Sequence, residues 1–327
     1  MVNWNRKDLL RACLISLGRQ KNVDFETIVV DNGSGDGSAE MAEQEFGARV
    51  IRNRENRGFC AANNQGIAAA RGKFVALLNN DAEAEPDWLA ELERACGSRP
   101  EIGMAASKVL VWEDPSRIDK VGHLMFPDGQ NRGRGSGALD RGQFDREEEV
   151  LWPDGCAAMY RKAMLDEIGG FDEDFFAYGD DAELGLRARI AGWHCLYAPR
   201  AVVRHHRGST LGKDSRWRLH LIERNRVLLA VKLFPWSLLA LNPFYYAARL
   251  VAGALLAHGN QGDTAHFPGA GGKLTIVRAL AEGDFAALRL IPRMLGKRAQ
   301  IERIRRLRPR EVRRLLLAHR LGLTEVA

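Results

Sequence analysis

The sequence feature that most constrains the fold is the run Phe74-Val75-Ala76-Leu77-Leu78-Asn79-Asn80-Asp81. Five apolar residues are followed directly by three short polar side chains, the last of which is a carboxylate. A short apolar run bounded by turn residues predicts a strand that is buried on both faces. Ligands of open α/β sheets bind at the carboxyl ends of such strands, where Asp81 could hold a hard cation against a phosphate. A strand followed by an ordinary Asx-type turn explains these eight residues equally well.

Strand-like and helix-like segments alternate around this run. In chain order the pattern predicts a helix begun by Asn5, a strand at 27–30, a helix ended by Gly47, a short strand at 50–51, a helix over 58–71 and a helix begun near Pro86. This alternation predicts an α/β fold with a parallel, doubly wound sheet. Because only residues 1–5 precede the first helix, we expect either a shortened first strand or a start that lies upstream.

Composition and charge exclude several classes of protein. The 327-residue chain is long enough for a large core, and 46% hydrophobic residues exclude wholesale disorder. Its five cysteines form no CxxC pair, which argues against a zinc ribbon or a disulfide framework and fits a reducing cytosol. The N-terminus shows no basic-then-apolar leader, so we expect no secretion.

The later part of the chain changes character. Residues 111–150 are rich in Gly, Asp and Arg without a clear period, which predicts a mobile loop. Residues 217–257 are apolar and aromatic, but no uninterrupted run approaches the roughly 20 residues that span a bilayer. Two short helices in a membrane interface, or two helices packed on the rest of the protein, both fit this pattern.

The last segment, after a Gly-rich linker at 269–272, is strongly basic. Residues 293–320 contain eleven Lys and Arg against two Glu, so this segment carries +9 of a chain whose net charge is +6, leaving −3 for the rest. Such a tail faces an anionic surface. The adjacent aromatic helices favour an anionic membrane, and we expect no nucleic-acid partner.

A series of short motifs occurs in a familiar order. They are Asn3-Trp4-Asn5, Val29-Val30-Asp31-Asn32-Gly33-Ser34, Asn56-Arg57-Gly58-Phe59, Asn63-Asn64-Gln65-Gly66, Leu77-Leu78-Asn79-Asn80-Asp81-Ala82, Gly169-Gly170-Phe171-Asp172-Glu173, Phe175-Phe176-Ala177-Tyr178-Gly179-Asp180-Asp181 and Val203-Arg204-His205-His206-Arg207-Gly208-Ser209-Thr210. Because of the number, order and spacing of these motifs, roughly residues 1–235 resemble family 2 glycosyltransferases of the GT-A fold. The resemblance is strongest to the rhamnosyltransferase-like branch that builds bacterial surface polysaccharides.

The resemblance implies a domain organisation. It implies a GT-A domain, with a Rossmann-like, mostly parallel nucleotide-binding sheet and helices on both faces. We expect the nucleotide-sugar-binding half at 1–110, the acceptor and catalytic half at 111–215, and a helical, amphipathic, basic and membrane-associated extension at 216–327.

The resemblance also implies residues for the donor. The nucleotide and sugar would contact Asn3, Trp4, Asn5, Asp31, Asn32, Arg57, Gly58, Asn64, Asn79 and Asn80. From the residues alone, a strand-to-helix turn is the favoured interpretation of Asp31-Asn32-Gly33. Arg57 suits phosphate through its guanidinium fork, although a surface arginine needs no such role.

The resemblance implies a Mg²⁺ or Mn²⁺ cofactor, because the family binds metal through a DxD-like motif. Here that motif is Asn79-Asn80-Asp81, so Asp81 is its only anionic ligand. A second ligand would be His205, with His206 as the alternative, because neighbours on a strand point to opposite faces. Two surface histidines beside Arg204 and Arg207 are the other interpretation.

The best candidate for the catalytic base is Asp181. The family pattern has Glu-Asp and then Asp two residues on, where this chain has Asp180, Asp181 and Glu183. Neighbouring carboxylates would raise the pKa of the base toward a useful range. Acids favoured by a helix N-terminus are the alternative interpretation. Trp152, Asp154 and Asp180 would form a wall for the acceptor or the sugar.

The resemblance predicts an inverting glycosyltransferase. It would transfer the sugar of a dTDP- or UDP-sugar, with rhamnose as one candidate, to a lipid-linked or glycan acceptor. It would be cytoplasmic and peripheral to the inner face of the plasma membrane. A processive polysaccharide synthase stays open, although Lys213-Asp214-Ser215-Arg216-Trp217 has Lys where the QxxRW signature has Gln. A catalytically inactive GT-A scaffold also stays open.

Overall fold

The computed structural model describes residues 1–206, 215–258 and 269–326. Arg207 to Thr210 of the last motif, and Lys213-Asp214 of the QxxRW-like stretch, lie outside the described residues. The strands are β1 (Val2–Asn3), β2 (Ile28–Asp31), β3 (Arg49–Arg52), β4 (Phe74–Leu78), β5 (Ala82–Ala84), β6 (Ile102–Val111), β7 (Ile118–Lys120), β8 (His123–Met125), β9 (Asn131–Gly133), β10 (Glu148–Val150), β11 (Ala157–Arg161) and β12 (His194–His205).

The helices follow the expected alternation through the first half of the chain. They are α1 (Lys7–Leu17), α2 (Ser38–Phe46), α3 (Gly58–Ala69), α4 (Trp88–Gly97), α5 (Lys162–Ile168), α6 (Asp180–Ile190), α7 (Arg216–Leu233), α8 (Trp236–Leu239), α9 (Asn242–His258), α10 (Gly269–Ile304), α11 (Pro309–Ala318) and α12 (Leu323–Val326), with a 3₁₀ turn at Glu173–Phe175. The chain divides into two compact units, Met1–His123 with Gly133–Arg207 and Leu124–Arg132 with Gly208–Ala327.

Two sheets form the first unit. β1, β2 and β3 make a parallel sheet in which Val2 lies opposite Val30 and Ile28 opposite Arg49. The larger sheet has the order β10-β12-β6-β11-β4, with β5 paired to β12 and β7 to β6. In it β6 and β12 are parallel, whereas β11 runs antiparallel between β4 and β6. The predicted single sheet is therefore two sheets, of which the first is parallel throughout and the second is mixed.

The predicted apolar strand is β4. Val75, Leu77 and Leu78 are buried, and Leu78 belongs to the main core cluster together with Trp88 on α4. The indole of Trp88 donates a 2.8 Å hydrogen bond to Ser107 Oγ on β6, so the helix and the sheet are joined by a polar contact as well as by apolar packing. The apolar run thus supplies one wall of the core and ends at the polar edge of the sheet.

The first strand is short. β1 has two residues beside the four of β2, and the amino group of Met1 donates to Ile28 O at 2.9 Å. An apolar cavity of about 200 Å³ lies between β2 and β4, with Ile28, Val30, Val75 and Leu77 among its lining residues. A two-residue β1 fits both a shortened first strand and a start that lies upstream.

Two expectations about loops are wrong. The Gly-rich stretch 111–150 contains β7, β8, β9 and β10 instead of a single loop. It is also tied to the core, because Lys108 on β6 bonds to Asp140 at 2.8 Å and to Asp145 at 2.7 Å. The expected linker at 269–272 is instead the first turn of α10, despite its glycines.

The second unit is helical. α7 and α10 pack closely, since a Cβ on Gly283 of α10 would lie 2.8 Å from the carbonyl oxygen of His220 on α7. Across the described residues, no helix combines the length and the apolar composition that crossing a bilayer would require.

Gly58 generates a stability prediction. It starts α3 with φ +83°, and a Cβ there would lie 2.4 Å from the ring of Phe176. The backbone carbonyl of Phe176 accepts hydrogen bonds from Phe59 N and Cys60 N, so this residue is held at the start of the helix. We expect Gly58→Ala to lower the free energy of unfolding by about 1–3 kcal/mol in urea titrations, through backbone strain and displacement of that ring. Gly97→Ala is the control, because nothing lies within 4 Å of its Cβ position. Equal stability of the two variants would contradict the assignment.

Candidate active site

The site forms where β4 ends and β5 begins. β5 pairs antiparallel with the end of β12, so Ala82 lies opposite His205, and His206 N donates to the carbonyl of Asp81 at 2.9 Å. This pairing brings together an acid and a histidine that are more than a hundred residues apart in sequence. The side chains of Asp81 and His205 are both buried.

Asp81, His205 and Asp119 form a chain of polar contacts. His205 Nε2 lies 3.4 Å from Asp81 Oδ1, and His205 Nδ1 lies 2.8 Å from Asp119 Oδ2. Burial alone would lower the pKa of His205, but the bonds to Asp119 and Asp81 outweigh it and raise the pKa to about 9. The His206 ring instead stacks on Trp112 with centroids 4.2 Å apart. His205, the residue preferred in the sequence, is therefore the one beside Asp81.

The Asp81–His205 pair fits a divalent cation. A carboxylate oxygen and an imidazole nitrogen 3.4 Å apart are close enough to bind one ion, and both are ligands of Mn²⁺, while the carboxylate also suits Mg²⁺. Asp119 holds the ring from its other nitrogen, as outer carboxylates do for metal-binding histidines. Sequence reasoning missed Asp119, because it lies in the stretch 111–150 that shows no period.

The asparagines and Asp31 tie the strand ends together. Asn80 Nδ2 donates to Asn3 Oδ1 at 2.8 Å, and Asn3 Nδ2 donates to Ser38 Oγ at 2.7 Å. Asp31 Oδ2 accepts from Ser34 N at 3.0 Å. These buried groups join the carboxyl ends of β1, β2 and β4. Asn79 contributes backbone contacts, with its N–H donating to Cys156 O at 2.8 Å.

A second polar network surrounds Asn32. Its Oδ1 accepts from Asn53 Nδ2 at 2.9 Å and from Arg57 N at 3.2 Å, and its Nδ2 donates to Gly58 O at 3.2 Å. The Arg57 side chain is exposed. Asn32, Arg57 and Gly58 are thus neighbours.

Three of the other candidate donor residues have different surroundings. Asn64 Oδ1 accepts from Phe171 N at 2.8 Å, so its amide holds the loop before the 3₁₀ turn. Asn5, at φ +50°, lies before the N-cap residue Arg6 and accepts from Gly35 N at 2.8 Å. Trp4 is exposed.

Asp181 lies in a second cluster of charged groups, at the start of α6. Its Oδ2 is 3.4 Å from Gly155 N and 3.5 Å from His123 Nε2. The same His123 nitrogen lies 2.9 Å from Asp154 Oδ2, to which Lys120 Nζ donates at 2.7 Å. A connected row of four groups therefore runs from Lys120 through Asp154 and His123 to Asp181.

The protonation of this row follows from burial and charge. Burial raises the pKa of Asp181 above its ordinary value, with His123 opposing that rise. Burial also raises the pKa of Asp180 far above its ordinary value, and Asp181 adds to the effect. Burial would do the same to Asp154, but Lys120 and His123 outweigh it and hold the pKa well below the usual range. Asp154 is thus a fixed anion, whereas Asp181 is poised to take up a proton.

His123 has a supporting layer of its own. Burial alone would lower its pKa, yet Asp181 and Asp154 outweigh burial and raise the pKa. Trp152, which is fully buried, stacks on the His123 ring with centroids 5.9 Å apart. A Cβ on Gly185 would lie 2.2 Å from Trp152 Cβ, so only glycine lets α6 approach this ring. Trp152 thus supports His123 from inside the protein and does not offer an open face for a sugar to stack on.

Lys120 and His123 were missed in the sequence for the same reason as Asp119. Single polar residues on strands of three residues leave no periodic signal. The donor atoms of His123, Asp154 and Asp181 lie within 4.8 Å of one another and could also hold a metal ion. Because Lys120 already supplies a positive charge to Asp154, the Asp81–His205 pair is the better candidate.

Solved structures have the same fold as this chain. The chain is similar to solved GT-A enzymes: the structure of GalNAc-T7 with UDP, GalNAc and Mn²⁺ matches at TM-score 0.59 and 15% identity, over 76% of this chain and 49% of that one. The Pyrobaculum calidifontis mannosyltransferase PcManGT in complex with GDP-Man and Mn²⁺ matches at TM-score 0.50 and 18% identity, over 93% and 84%. The predicted GT-A fold is confirmed.

The family is shown by the sequence comparison. The glycosyl transferase family 2 model matches residues 1–169, which is more than half of the chain. This protein therefore belongs to glycosyl transferase family 2 and is a glycosyltransferase.

Three relatives have modest sequence identity to this chain. An N-acetylglucosaminyl-diphospho-decaprenol L-rhamnosyltransferase of Mycobacterium tuberculosis is 26% identical over 65% of this chain and 76% of its own length. An uncharacterized protein of Sinorhizobium fredii is 30% identical over 63% of this chain, and the O-antigen biosynthesis protein RfbC of Myxococcus xanthus is 28% identical over 64%. The chain spans only 24% and 17% of those last two proteins.

The outer carboxylate Asp119 generates a metal-binding prediction. We expect Asp119→Asn to weaken Mn²⁺ binding in the presence of UDP by about 10–100-fold, because His205 loses the anion that orients it. Isothermal titration measures the affinity directly. Asp145→Asn is the matched control, since Asp145 is an exposed partner of Lys108. Unchanged Mn²⁺ affinity in Asp119→Asn would remove His205 from the metal site.

Proposed function

We propose that this protein is an inverting glycosyltransferase that moves a sugar from a nucleoside diphosphate to an acceptor hydroxyl, with Asp181 as the base. The observation that carries the proposal is the row Lys120–Asp154–His123–Asp181 within a family 2 domain, in which Asp154 and His123 are buried and the two ends are partly exposed. This row holds one carboxylate as a permanent anion and leaves the next one, Asp181, able to accept a proton.

The proposed reaction is a single in-line displacement. The acceptor oxygen forms a bond to the anomeric carbon while the bond to the diphosphate oxygen breaks on the opposite face. The acceptor proton passes to Asp181, and the electron pair leaves with the nucleoside diphosphate. One displacement inverts the anomeric configuration.

The donor would bind along the carboxyl ends of β1, β2 and β4. Asp31, Asn32 and the turn at Arg57-Gly58 would contact the nucleoside, and Asn3, Asn79 and Asn80 would maintain the shape of this edge through the bonds described above. A Mg²⁺ or Mn²⁺ ion held by Asp81 and His205 would neutralise charge on the leaving diphosphate. Both structural neighbours named above hold a nucleotide or nucleotide sugar together with Mn²⁺.

The proposed donor is a dTDP- or UDP-sugar, with rhamnose as a candidate because the mycobacterial relative is named a rhamnosyltransferase. That relative's name also describes a lipid-linked acceptor, which supports a lipid-linked or glycan acceptor here. Bacterial surface polysaccharide synthesis is the proposed setting. A protein acting on such an acceptor would work at the cytoplasmic face of the plasma membrane, attached peripherally through its C-terminal region.

Asp181→Asn tests the base. Transfer should fall by about 10²–10⁴-fold, the usual contribution of general base catalysis, whereas binding of the nucleoside diphosphate should persist. The donor is first found by screening dTDP-rhamnose and UDP-sugars for turnover and for thermal stabilisation. Asp166→Asn is the control, because that side chain is exposed. Full turnover by Asp181→Asn would exclude Asp181 as the base, and no nucleotide binding at millimolar Mn²⁺ would favour an inactive scaffold.

His123 generates a pH prediction. Asp181 acts as a base only when ionised, so activity falls as the pH drops through its pKa. His123 opposes the rise in that pKa. Removing it should therefore move the acidic limb of kcat/KM to higher pH, by about one unit.

Two substitutions separate the charge of His123 from its hydrogen bond. His123→Gln keeps a neutral N–H donor, whereas His123→Phe keeps only a ring against Trp152. We expect both to shift the pH profile and only His123→Phe to lose kcat strongly. His194→Gln, at a half-exposed position beside Glu149, is the control. A folded His123→Phe variant with an unshifted profile would contradict this role.

A further inference from the structure

Helix α9 in the second unit has its apolar side outward. Phe244, Val251 and Leu255 are 71%, 60% and 70% exposed, and their spacing places them on one side of the helix. Ala247, between the first two, is exposed as well. We call Phe244, Val251 and Leu255 the α9 face. A surface helix of a water-soluble protein has the opposite arrangement.

The charged side of α9 is turned inward and satisfied there. Arg249 donates to Asp128 Oδ2 at 2.6 Å and to Glu223 Oε2 at 2.9 Å, and both acids are buried. Tyr246 OH donates to Asp284 Oδ2 on α10 at 2.6 Å. Turning the apolar face inward would break this network and leave buried charges without partners, at a high cost in free energy. The outward apolar face is thus fixed by the contacts beneath it.

Helix α10 carries a second apolar surface. Exposed apolar residues recur along one side at helical spacing, and we call them the apolar stripe: Leu274, Val277, Ala281, Phe285, Leu288 and Leu295. The other side of the helix is buried through Ala279, Gly283 and Ala287, with Gly283 packed closely against α7. The stripe therefore lies opposite the face that holds α10 in its unit.

Cations border the stripe. Arg278, Arg289 and Arg293 are exposed on the same helix, and the Arg289 guanidinium lies 4.6 Å from the Phe285 ring centroid. The nearby acids are already paired, Glu282 with Arg216 and Asp284 with Arg226. With the net +9 of residues 293–320, the surroundings of the stripe are positive. An apolar surface bordered by cations matches the boundary between the acyl chains and the anionic headgroups of a bilayer.

We propose that the α9 face and the apolar stripe insert into the interface of an anionic lipid bilayer, with their helices lying on the membrane and not across it. A second copy of this chain is a poorer occupant. A two-fold contact along the stripe would place the same arginine-bordered surface on both sides of the interface, and like charges across an interface are unfavourable. This inference rests on the proposed function in one respect: the membrane is the surface on which the protein would meet a lipid-linked acceptor.

Flotation of the full chain with vesicles tests the proposal. The vesicles are phosphatidylcholine alone or mixed with phosphatidylglycerol, in dilute buffer and in about 1 M NaCl, where the Debye length is about 3 Å. We expect binding to the anionic vesicles that persists at high salt, because apolar insertion is not screened. Release by salt alone would mean attachment by charge, and would overturn insertion.

The stripe is tested by Phe285→Ser with Leu288→Ser. Each loss of a buried large apolar side chain weakens partitioning about tenfold or more, so the double variant should bind anionic vesicles about a hundredfold more weakly. Ile15→Ser with Phe25→Ser is the matched control, because these apolar residues are 43% and 41% exposed in the first unit. Both changes are on the surface, and circular dichroism confirms folding. Equal binding of the stripe variant and the control would contradict the proposal.

Two further measurements separate the other outcomes. Light scattering in solution gives the mass of each variant, and a dimer that dissociates in the stripe variant but never binds vesicles would assign the surface to a second copy. Donor turnover without vesicles reports on the proposed function alone. Turnover that survives in the stripe variant while vesicle binding is lost is the expected result. Vesicle binding without any donor turnover would sink the proposed function and leave this inference standing.

Discussion

The pairing of β12 with both β6 and β5 is the constraint on which the candidate site depends. β12 runs parallel to β6 over most of its length and then receives the short antiparallel strand β5 at its end. β5 begins one residue after Asp81, so this register decides which histidine meets the acid. A shift of one residue along β12 would turn His205 away and present His206 or Arg204, because side chains alternate along a strand. The proposed metal ligands are thus consequences of strand register.

The second acid cluster depends on charge balance. Two carboxylates within reach of one imidazole could not both remain ionised in a buried place without compensation. Lys120 compensates Asp154, His123 lies between Asp154 and Asp181, and burial raises the pKa of Asp180. This order creates a difference in basicity between neighbouring acids that are chemically alike. This difference is the reason for proposing Asp181, and not Asp154, as the group that takes up the proton.

The helical second unit also buries paired charges, and it exposes apolar residues. Its interior contains Asp128, Glu223 and Arg226, with the partly buried Arg249 paired to the two acids, and part of its outside is apolar. Arg226 donates to Glu223 at 2.6 Å, so the interior charges form paired contacts and do not need water. The α9 face and the apolar stripe then remain on the outside of the unit. A membrane interface is proposed for them because it would cover their apolar side chains.

The sequence by itself determined the alternation of strands and helices, the apolar strand β4 and the family, because these depend on local periodicity and on contiguous motifs. From the same motifs it predicted site roles for the acids Asp81 and Asp181. The alternation of side chains along a strand also indicated that only one of His205 and His206 would face the site. Asp119, Lys120 and His123 were decided only by the tertiary structure, since they come from short strands whose pairing partners are distant in the chain. The same holds for the burial of Trp152 beneath His123, which depends on the approach of Gly185. The orientation of α9 is likewise a tertiary property, because hydrophobic periodicity identifies an amphipathic helix but cannot say which side faces inward. Only the buried partners of Arg249 decide that.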